Sequence, residues 1–345
     1  MAVLGIEGTA HTLGVGIVDA VPNPSPGQPR LRVLANRRAM VHPLTRVGEP
    51  GMGIHPREAA NHHADLGPGL VRDALRDAEL AATDLDAVAF SQGPGLGPCL
   101  RVAATMARAL ALRVGKPLVG VNHCVAHLEV GRADAGVDDA MLLYASGANT
   151  QLLAFARGRY RVFGETLDVG LGNALDKFAR DQGIPFPGGP EVERLAAQAV
   201  AAGAPLVPMP YAVKGMDLSF AGLATAATRL VAEGTPLPTV CHSVQEHAFA
   251  ALVETAERAL AHTGHAHLVL GGGVACNARL QAMARAMGEA RGVAVHAPPR
   301  DLLVDNGAMI AWLGPLQLQA GATVAVEASQ VQPYQRTDQV EVAWR

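Results

Sequence analysis

The apolar segments of this chain follow the same order in both halves, and no other feature of the sequence constrains the fold as strongly. Three short apolar runs within residues 2–38 predict three strands, and helical and strand patterns then alternate from residue 56 to residue 132. From residue 140 the order starts again with three strands, and it ends with a helix at residues 306–321. The predicted order of each half is βββαβαβα, which divides the chain into residues 1–138 and 139–345.

A duplicated βββαβαβα core is the topology of the actin-like ATPases (the ASKHA fold), α/β proteins that bind nucleotide in the cleft between their halves. This fold needs a short polar turn after the first strand of each half, with backbone N–H groups that can face phosphate oxygens. The sequence has such turns at matching points, EGTAHTLG at residues 7–14 and SGANTQ at residues 146–151. Either turn alone could be an ordinary hairpin turn, but their matched placement predicts a nucleotide site between them.

A third, glycine-rich segment, LGGGVACNARL at residues 270–280, ends a predicted strand and opens a predicted helix. Gly272 and Gly273 would let a flat ring or a phosphate approach the main chain, and Asn277 could hydrogen-bond the edge of a base or sugar. The alternative is a crowded strand-to-helix crossing with no ligand. Together with the two turns, this segment predicts nucleotide contact.

The segment VNHCVAHLEV, residues 121–130, places His123 and His127 four residues apart in a predicted helix. Residues with this spacing share a helix face, so two ring nitrogens could bind one divalent metal. A zinc protease would have a glutamate beside the first histidine to deprotonate the metal-bound water, but Cys124 occupies that position. The pair therefore argues against peptide hydrolysis. It leaves open a metal site or two structural histidines on a buried helix.

Composition excludes several classes of protein. The chain has 345 residues, of which 49% are hydrophobic and 17% charged, and no apolar run is long enough to span a membrane. The first residues, MAVLGIEGTA, begin a strand without the features of a signal peptide, and the four cysteines include no CxxC pair. These observations predict a cytoplasmic protein. The formal net charge of −3 does not suit a chain that binds nucleic acid unaided.

Eleven segments of the sequence carry a resemblance to one protein family. They are GIEGTAHTLGVGIV, GIHPREAANHHA, GPGLGPCLRV, NHCVAHLEVGR, YASGANTQ, ETLDVGLGNALDKFAR, PGGPEVERLA, KGMDLSFAGL, GGGVACNARL, DNGAMIAWLG and RTDQVEVAWR. In this order, and over nearly the whole chain, they resemble the universal tRNA threonylcarbamoyladenosine transferase family, once called a sialoglycoprotein endopeptidase. The opening EGTAHT and the closing segment resemble its archaeal and eukaryotic branch, the catalytic subunit of the KEOPS complex.

The resemblance implies a reaction. A threonylcarbamoyl group would pass from threonylcarbamoyl-adenylate to the exocyclic amine of the adenosine 3′ of the anticodon, in tRNAs that read codons beginning with A, and AMP would leave. The implied partners are tRNA and the other KEOPS-type subunits. Because the chain ends after VEVAWR, we expect the small kinase of that complex to be a separate chain. No membrane is expected to take part.

The resemblance also assigns residues. One divalent metal, iron or zinc, would be held by His123, His127, Tyr144 and Asp305, with His123, His127 and Asp305 counted as catalytic. The expected adenine nucleotide is ATP or threonylcarbamoyl-adenylate, and Mg²⁺ could accompany it. The expected nucleotide contacts are Glu7, Thr9, Ser146, Gly147, Asn149, Asp168, Gly172, Asp176, Gly272, Gly273 and Asn277. Without the resemblance, Tyr144 would be interpreted as a core aromatic residue and Asp305 as a helix N-cap.

Two other functions would use the same turns. An actin-like small-molecule kinase would need a carboxylate base facing a substrate hydroxyl, and it would need no His-His-Tyr-Asp metal set. A non-enzymatic, nucleotide-dependent scaffold would bind partners through exposed apolar surface.

The sequence also departs from the family at Ala148, because the second turn of the family usually reads SGGNTQ. If that position needed a positive φ, alanine would cost about 1 kcal/mol.

Overall fold

The computed structural model describes residues 1–22, 24–41 and 55–345, so the first two residues of the segment GIHPREAANHHA lie outside the described part. The first sheet consists of β1 (Ala2–Glu7), β2 (Thr12–Ala20), β3 (Leu31–Met40), β4 (Ala87–Gly93) and β5 (Leu118–Asn122). Its strand order is β3-β2-β1-β4-β5. The hairpin-linked strands β1, β2 and β3 are antiparallel, and β4 and β5 run parallel to β1.

Among the described residues of this half there are three α-helices, α1 (Pro56–Asp77), α2 (Gly97–Val114) and α3 (His123–Ala135). Their ends follow local sequence. Pro56 occupies the first turn of α1, where its missing N–H costs nothing, and α2 ends at Gly115, whose φ of 65° is left-handed. Helices α1 and α2 contact each other and pack on the sheet, while α3 follows β5 directly.

The second half repeats the pattern. Its elements are β6 (Met141–Ala145), β7 (Thr150–Ala156), β8 (Arg159–Glu165), α4 (Leu171–Asp181), α5 (Gly189–Ala201), β9 (Val213–Lys214), β10 (Asp217–Leu218), α6 (Ala221–Ala232), α7 (Leu237–Thr263), β11 (His267–Gly271), α8 (Ala278–Arg291), β12 (Ala294–His296), α9 (Arg300–Leu303) and α10 (Gly307–Gln319). The main sheet has the order β12-β11-β6-β7-β8, which is the order of the first sheet read from the other edge. The predicted duplicated fold is confirmed.

Helix α3 contacts strands of both sheets, and helix α10 contacts the first sheet. The two helices also contact each other. Side chains of α3, α10 and both sheets form one buried apolar cluster. Strand β2 and helix α10 approach each other so closely that backbone meets backbone. A Cβ atom added at Gly16 would lie 2.2 Å from the Ala308 nitrogen, so only glycine fits at this crossing. The last helix of the chain is therefore seated on the sheet of the first half.

The C-terminal segment connects the two sheets. The Gln332 N–H donates to the Gln92 carbonyl at 2.7 Å, and the Asn122 side-chain amide donates to Gln335 Oε1 at 3.1 Å. At its end, the Arg345 guanidinium lies 3.2 Å from the buried carboxylate of Glu129 on α3. The segment thus runs beside the start of α3. No helix among the described residues is long and apolar enough to cross a membrane.

Candidate metal centre and nucleotide cleft

The junction between β5 and α3 sets the positions of the two histidines. Asn122 caps the helix, because its Oδ1 accepts hydrogen bonds from the N–H groups of Cys124 at 3.0 Å and Val125 at 3.1 Å. His123 is therefore the first residue of α3, and His127 follows one turn later. Both side chains are buried, and their ring centroids are 4.9 Å apart. The prediction that they share a helix face is confirmed.

Tyr144 and Asp305 join the histidines from other elements. Tyr144 lies near the end of β6 beside Gly271 of β11, and its hydroxyl is 3.0 Å from His123 Nε2. Asp305 precedes α10, and its Oδ1 is 3.4 Å from the Nε2 atoms of His123 and His127. The N-cap of α10 is the next residue, Asn306, so the N-cap interpretation of Asp305 is wrong.

These distances fit a metal ion. A tetrahedral ion with bonds of about 2.0–2.1 Å holds neighbouring ligand atoms roughly 3.3 Å apart. The nitrogen-to-oxygen separations of 3.0 and 3.4 Å in the cluster are close to that value. The donor atoms of His123, His127 and Asp305 all lie within 4.8 Å of one another. Two imidazoles, a carboxylate and a phenol form a set that suits zinc or iron.

The electrostatics of the cluster favour a positive charge. Burial disfavours charged His123, yet the facing Glu7, Tyr144 and Asp305 raise its pKa well above the usual range. Burial alone would raise the pKa of Asp305, but the neighbouring His123 and His127 hold that pKa well below its usual range. Burial raises the pKa of Tyr144. The carboxylates of Glu7 and Asp305 thus lie beside the histidines and would balance a positive charge in the cluster.

The buried side chain of Glu7 holds the first turn in place. The sequence predicts Glu7 and Thr9 as nucleotide contacts, and in the structure the Glu7 side chain is fully buried. Its Oε1 accepts from the Thr9 N–H at 2.7 Å, and its Oε2 lies 3.0 Å from His123 Nδ1. Thr9 is also buried, with its hydroxyl bonded to Glu7.

The second turn is held by its own side chains and by α4. The Ser146 and Asn149 backbones bond each other, and the N–H groups of Gly172 and Asn173 donate to the carbonyls of Ser146 and Gly147 at 3.0 and 2.9 Å. Within the described residues, the only non-glycine positions with positive φ are Glu79 and Arg157. Ala148 is therefore unstrained, and its expected cost does not arise.

The glycine-rich segment after β11 lies against this turn. Gly272 has a φ of 91°, and a Cβ there would lie 2.3 Å from the Ala145 carbonyl oxygen, whereas nothing lies within 4 Å of a Cβ at Gly273. The Asn277 side chain caps α8 by accepting from Arg279 N–H at 2.9 Å, and it donates to Gln245 at 2.9 Å. The space beside Gly273 is thus open to a ligand, whereas the side chain of Asn277 already has hydrogen-bond partners in the protein.

The two carboxylates of the segment ETLDVGLGNALDK also have protein donors. Asp168 accepts from the N–H groups of Phe220 at 2.9 Å and Ala221 at 3.0 Å, and despite burial these bonds lower its pKa. Asp176 accepts from the Gly188 N–H at 2.8 Å, and burial raises its pKa. Both side chains thus stabilise loops in the second half.

Two contributors to the site were not predicted from the sequence. Ser91, near the end of β4, accepts from the Gly8 N–H at 2.9 Å and so fixes the first turn. A polar residue at the carboxyl end of a buried parallel strand is a recognisable signal for such a role. Gln335 in the C-terminal segment bonds Asn122, the cap of α3, and no local pattern in the sequence indicates that contact.

Comparison with known proteins shows which sequences this chain is similar to. The sequence profile of tRNA N6-adenosine threonylcarbamoyltransferase matches residues 37–312. The chain is 53% identical to the tRNA N6-adenosine threonylcarbamoyltransferase of Thermococcus kodakarensis over 345 residues, which are 100% of both chains. It is 51% identical over 343 residues to a probable bifunctional tRNA threonylcarbamoyladenosine biosynthesis protein of Methanocorpusculum labreanum, covering 99% of this chain and 61% of that one.

Solved structures of distant proteins share the fold. Thermococcus kodakarensis HypF superposes with a TM-score of 0.63 at 15% identity, over 92% of this chain and 48% of HypF. The activator of the 2-hydroxyisocaproyl-CoA dehydratase from Clostridium difficile superposes with a TM-score of 0.51 at 12% identity, over 94% and 99% of the two chains.

The fold and the site first define a class: an α/β protein with the actin-like ATPase fold and a candidate metal centre between its halves. The sequence comparisons then identify the family. The chain belongs to the tRNA N6-adenosine threonylcarbamoyltransferase family and is an enzyme, a transferase.

Proposed function

We propose that this protein transfers a threonylcarbamoyl group from threonylcarbamoyl-adenylate to the exocyclic amine of the adenosine 3′ of the anticodon, in tRNAs that read codons beginning with A. The observation that carries the proposal is the buried cluster of His123, His127, Tyr144 and Asp305, which lies beside both turns in a chain of this family. The amine nitrogen attacks the carbamoyl carbon, the bond from that carbon to the phosphate oxygen breaks, AMP leaves with the electron pair, and the nitrogen releases one proton to solvent.

The donor is already activated as a mixed anhydride, so the main task of the protein is to align the reactants and stabilise developing charge. In the proposal, the first and second turns hold the phosphate, with Ser146, Gly147 and Asn149 in the second turn. Gly272 and Gly273 flank the adenine. Asp168, Gly172 and Asp176 lie on the side of the ribose and the threonyl end, and the Asn277 cap fixes the start of α8.

His123, His127, Tyr144 and Asp305 would hold one iron or zinc ion. Such an ion supplies Lewis-acid chemistry, by polarising the carbamoyl carbonyl or holding the threonyl carboxylate. The residues themselves exclude bulk water, because the exposed fractions of His123 and His127 are only 4% and 1%. Low exposure strengthens every electrostatic interaction with the reacting groups.

The proposed partners are tRNA and KEOPS-type subunits, with a small kinase on a separate chain, and the proposed location is the cytoplasm. The relative from Methanocorpusculum labreanum supports a second component, since that protein is named bifunctional and this chain spans 61% of it.

A variant with both histidines replaced tests the proposal. Purified chain, threonylcarbamoyl-adenylate, the matching partner subunits and unmodified tRNA are combined, and the modified nucleoside is measured. We expect wild type to form it, whereas His123→Ala/His127→Ala forms none, binds no metal and still binds ATP. The fold should persist because α3 is anchored by apolar side chains such as Val125 and Leu128.

The matched control is His267→Ala/His296→Ala, which removes another histidine pair, 3.0 Å apart on β11 and β12. It should retain both transfer and metal. Full transfer by a metal-free double variant on α3 would refute the proposed mechanism, and its general unfolding would instead indicate structural histidines.

A further inference from the structure

Glu7 connects two parts of the site that belong to different elements. It is the last residue of β1, and its side chain is fully buried. One carboxylate oxygen, Oε2, lies 3.0 Å from Nδ1 of His123. The other, Oε1, accepts hydrogen bonds from the N–H group and the hydroxyl of Thr9. A single carboxylate therefore contacts both a candidate metal ligand and the first turn.

The bond to His123 determines which ring nitrogen faces the cluster. Because Nδ1 faces Glu7, Nε2 is the ring nitrogen that faces the cluster, 3.0 Å from the Tyr144 hydroxyl and 3.4 Å from Asp305, and a cation there would bind this nitrogen. His127 differs, because its buried Nδ1 has no hydrogen-bond partner among the described residues. His123 thus has a polar partner on the side of the ring that faces away from the cluster, whereas His127 has none on that side among the described residues.

The bond to Thr9 determines which N–H groups of the first turn are free. The Gly8 N–H donates to Ser91 at 2.9 Å and the Thr9 N–H to Glu7 at 2.7 Å, so both point into the protein. In the part of the chain that the structure describes, the next two N–H groups, those of Ala10 and His11, have no protein acceptor. These two groups remain for a phosphate.

We infer that Glu7 is a positioning residue that couples the metal centre to the first turn. It holds the ring of His123 toward the cation, and it holds Thr9 so that the N–H groups of Ala10 and His11 face the nucleotide. The inference rests on the proposed function, since it requires a cation and an adenine nucleotide in the cleft. Metal and nucleotide affinities should then be linked through Glu7.

Glu7→Gln tests this, because one amide cannot satisfy both contacts. If its oxygen accepts from Thr9, its NH₂ faces His123 Nδ1 and favours the ring form with the proton on Nε2. If its oxygen faces His123, its NH₂ opposes the Thr9 N–H. We expect the affinity for Zn²⁺ to fall about 10–100-fold, as when other outer partners of metal ligands are lost, and the visible spectrum of bound Co²⁺ to change. Saturating ATP should shift Zn²⁺ affinity by about fivefold or more in wild type and not in the variant.

The matched control is Glu129→Gln. Glu129 is also a fully buried carboxylate and lies on α3 itself, but its partners are Tyr160 at 2.6 Å, Arg132 at 2.7 Å and Arg345 at 3.2 Å. This variant should keep the wild-type Zn²⁺ affinity and Co²⁺ spectrum.

A folded Glu7→Gln variant with wild-type Zn²⁺ affinity and Co²⁺ spectrum would overturn the inference, as would wild-type protein without linkage to ATP. If Glu7→Gln does not fold, Glu7→Asp is the alternative variant, because its shorter side chain keeps the carboxylate but does not reach His123. Glu7→Asp should fold and bind Zn²⁺ weakly. Wild-type Zn²⁺ affinity in Glu7→Asp would also overturn the inference. A wild-type protein that binds no Zn²⁺ refutes the metal centre and this inference together. Linked Zn²⁺ and ATP binding without transfer to tRNA refutes only the proposed function.

Discussion

A substitution should have different effects at the two neighbouring glycines Gly272 and Gly273. At Gly273 the space around an added Cβ is open, so Gly273→Leu should fold normally and lose ATP affinity by filling the proposed adenine position. Binding of ATP by calorimetry and thermal unfolding measure the two effects. Gly69→Leu, on α1 and also in open space, is the control and should bind ATP like wild type. Unchanged ATP affinity in a folded Gly273→Leu variant would show that adenine lies elsewhere.

Gly272 is unsuitable for the same experiment. Its φ of 91° is left-handed, and the Ala145 carbonyl would overlap an added methyl group. A substitution there strains the backbone beside the second turn, so a loss of ATP binding would not report on the adenine position.

We predict that His63 makes the stability of the protein depend on pH. It is fully buried on α1, its Nε2 lies 3.1 Å from the Ala10 carbonyl, and burial, with a smaller effect of His62, lowers its pKa to about 4. In the unfolded chain it takes up a proton below about pH 6.5. The unfolded state therefore binds more protons between these values, and stability falls as the pH drops from about 6.5 to about 4, by up to about 3 kcal/mol.

We predict that His63→Gln reduces this loss, because a neutral amide can donate to Ala10 without titrating. The measurement is the free energy of urea unfolding at pH 7 and pH 4.5, for wild type, His63→Gln and the exposed-site control His262→Gln. Equal losses in wild type and His63→Gln would contradict the assignment.

Helix geometry made the histidine pair predictable, but not the rest of the centre. A spacing of four residues places His123 and His127 on one face in any helix. Tyr144 reaches them through the pairing of β6 with β11, and Asp305 through the position of α10. These contacts join residues far apart in sequence, so no local pattern contains them, and only the resemblance to a family named both residues. The bond between Glu7 and His123 was missed for the same reason.

At the scale of elements, the contact between β2 and α10 should tolerate no side chain at Gly16. In Gly16→Ala the methyl group meets the backbone of α10, which cannot rotate away, so the helix must shift. We expect a loss of about 1–3 kcal/mol in unfolding free energy. Since Asp305 precedes α10, the same shift should weaken metal binding. Urea unfolding and Zn²⁺ titration measure both effects.

Gly222→Ala, on the solvent side of α6 with nothing near an added Cβ, is the matched control and should not destabilise the protein. A Gly16→Ala variant as stable as this control would show that the two elements can separate freely.

Elements with strong periodicity were predicted well because their signal is local. The strands of both sheets and the helices α1, α2, α3 and α7 were found from apolar spacing. Boundaries were less accurate. The apolar pattern of SVQEHAFAALVETAERALAHTG predicts a helix from residue 243, whereas α7 begins at Leu237, because Pro238 is compatible with the first turn of a helix. The two-residue strands β9 and β10 exist through their pairing with each other, which periodicity does not encode.

At the scale of the whole molecule, the net charge of −3 predicts weak binding of tRNA by this chain alone. Few phosphate contacts release few counterions, so the affinity should also depend weakly on salt. Filter binding at two salt concentrations, with and without the partner subunits, measures both. The complex should bind more tightly and with a steeper salt dependence. Tight, salt-sensitive binding by the purified chain would contradict this prediction.

The position of α10 has a consequence for how the protein is made. The ribosome releases β1 and β2 early, whereas the helix that covers them is among the last segments synthesised. Until then, the apolar face on which α10 will lie is covered only in part, by α3, although the first half already contains the five described strands of its sheet. The nascent chain must therefore carry an exposed sheet face through most of translation, and chaperones would need to shield that face until the final helix emerges.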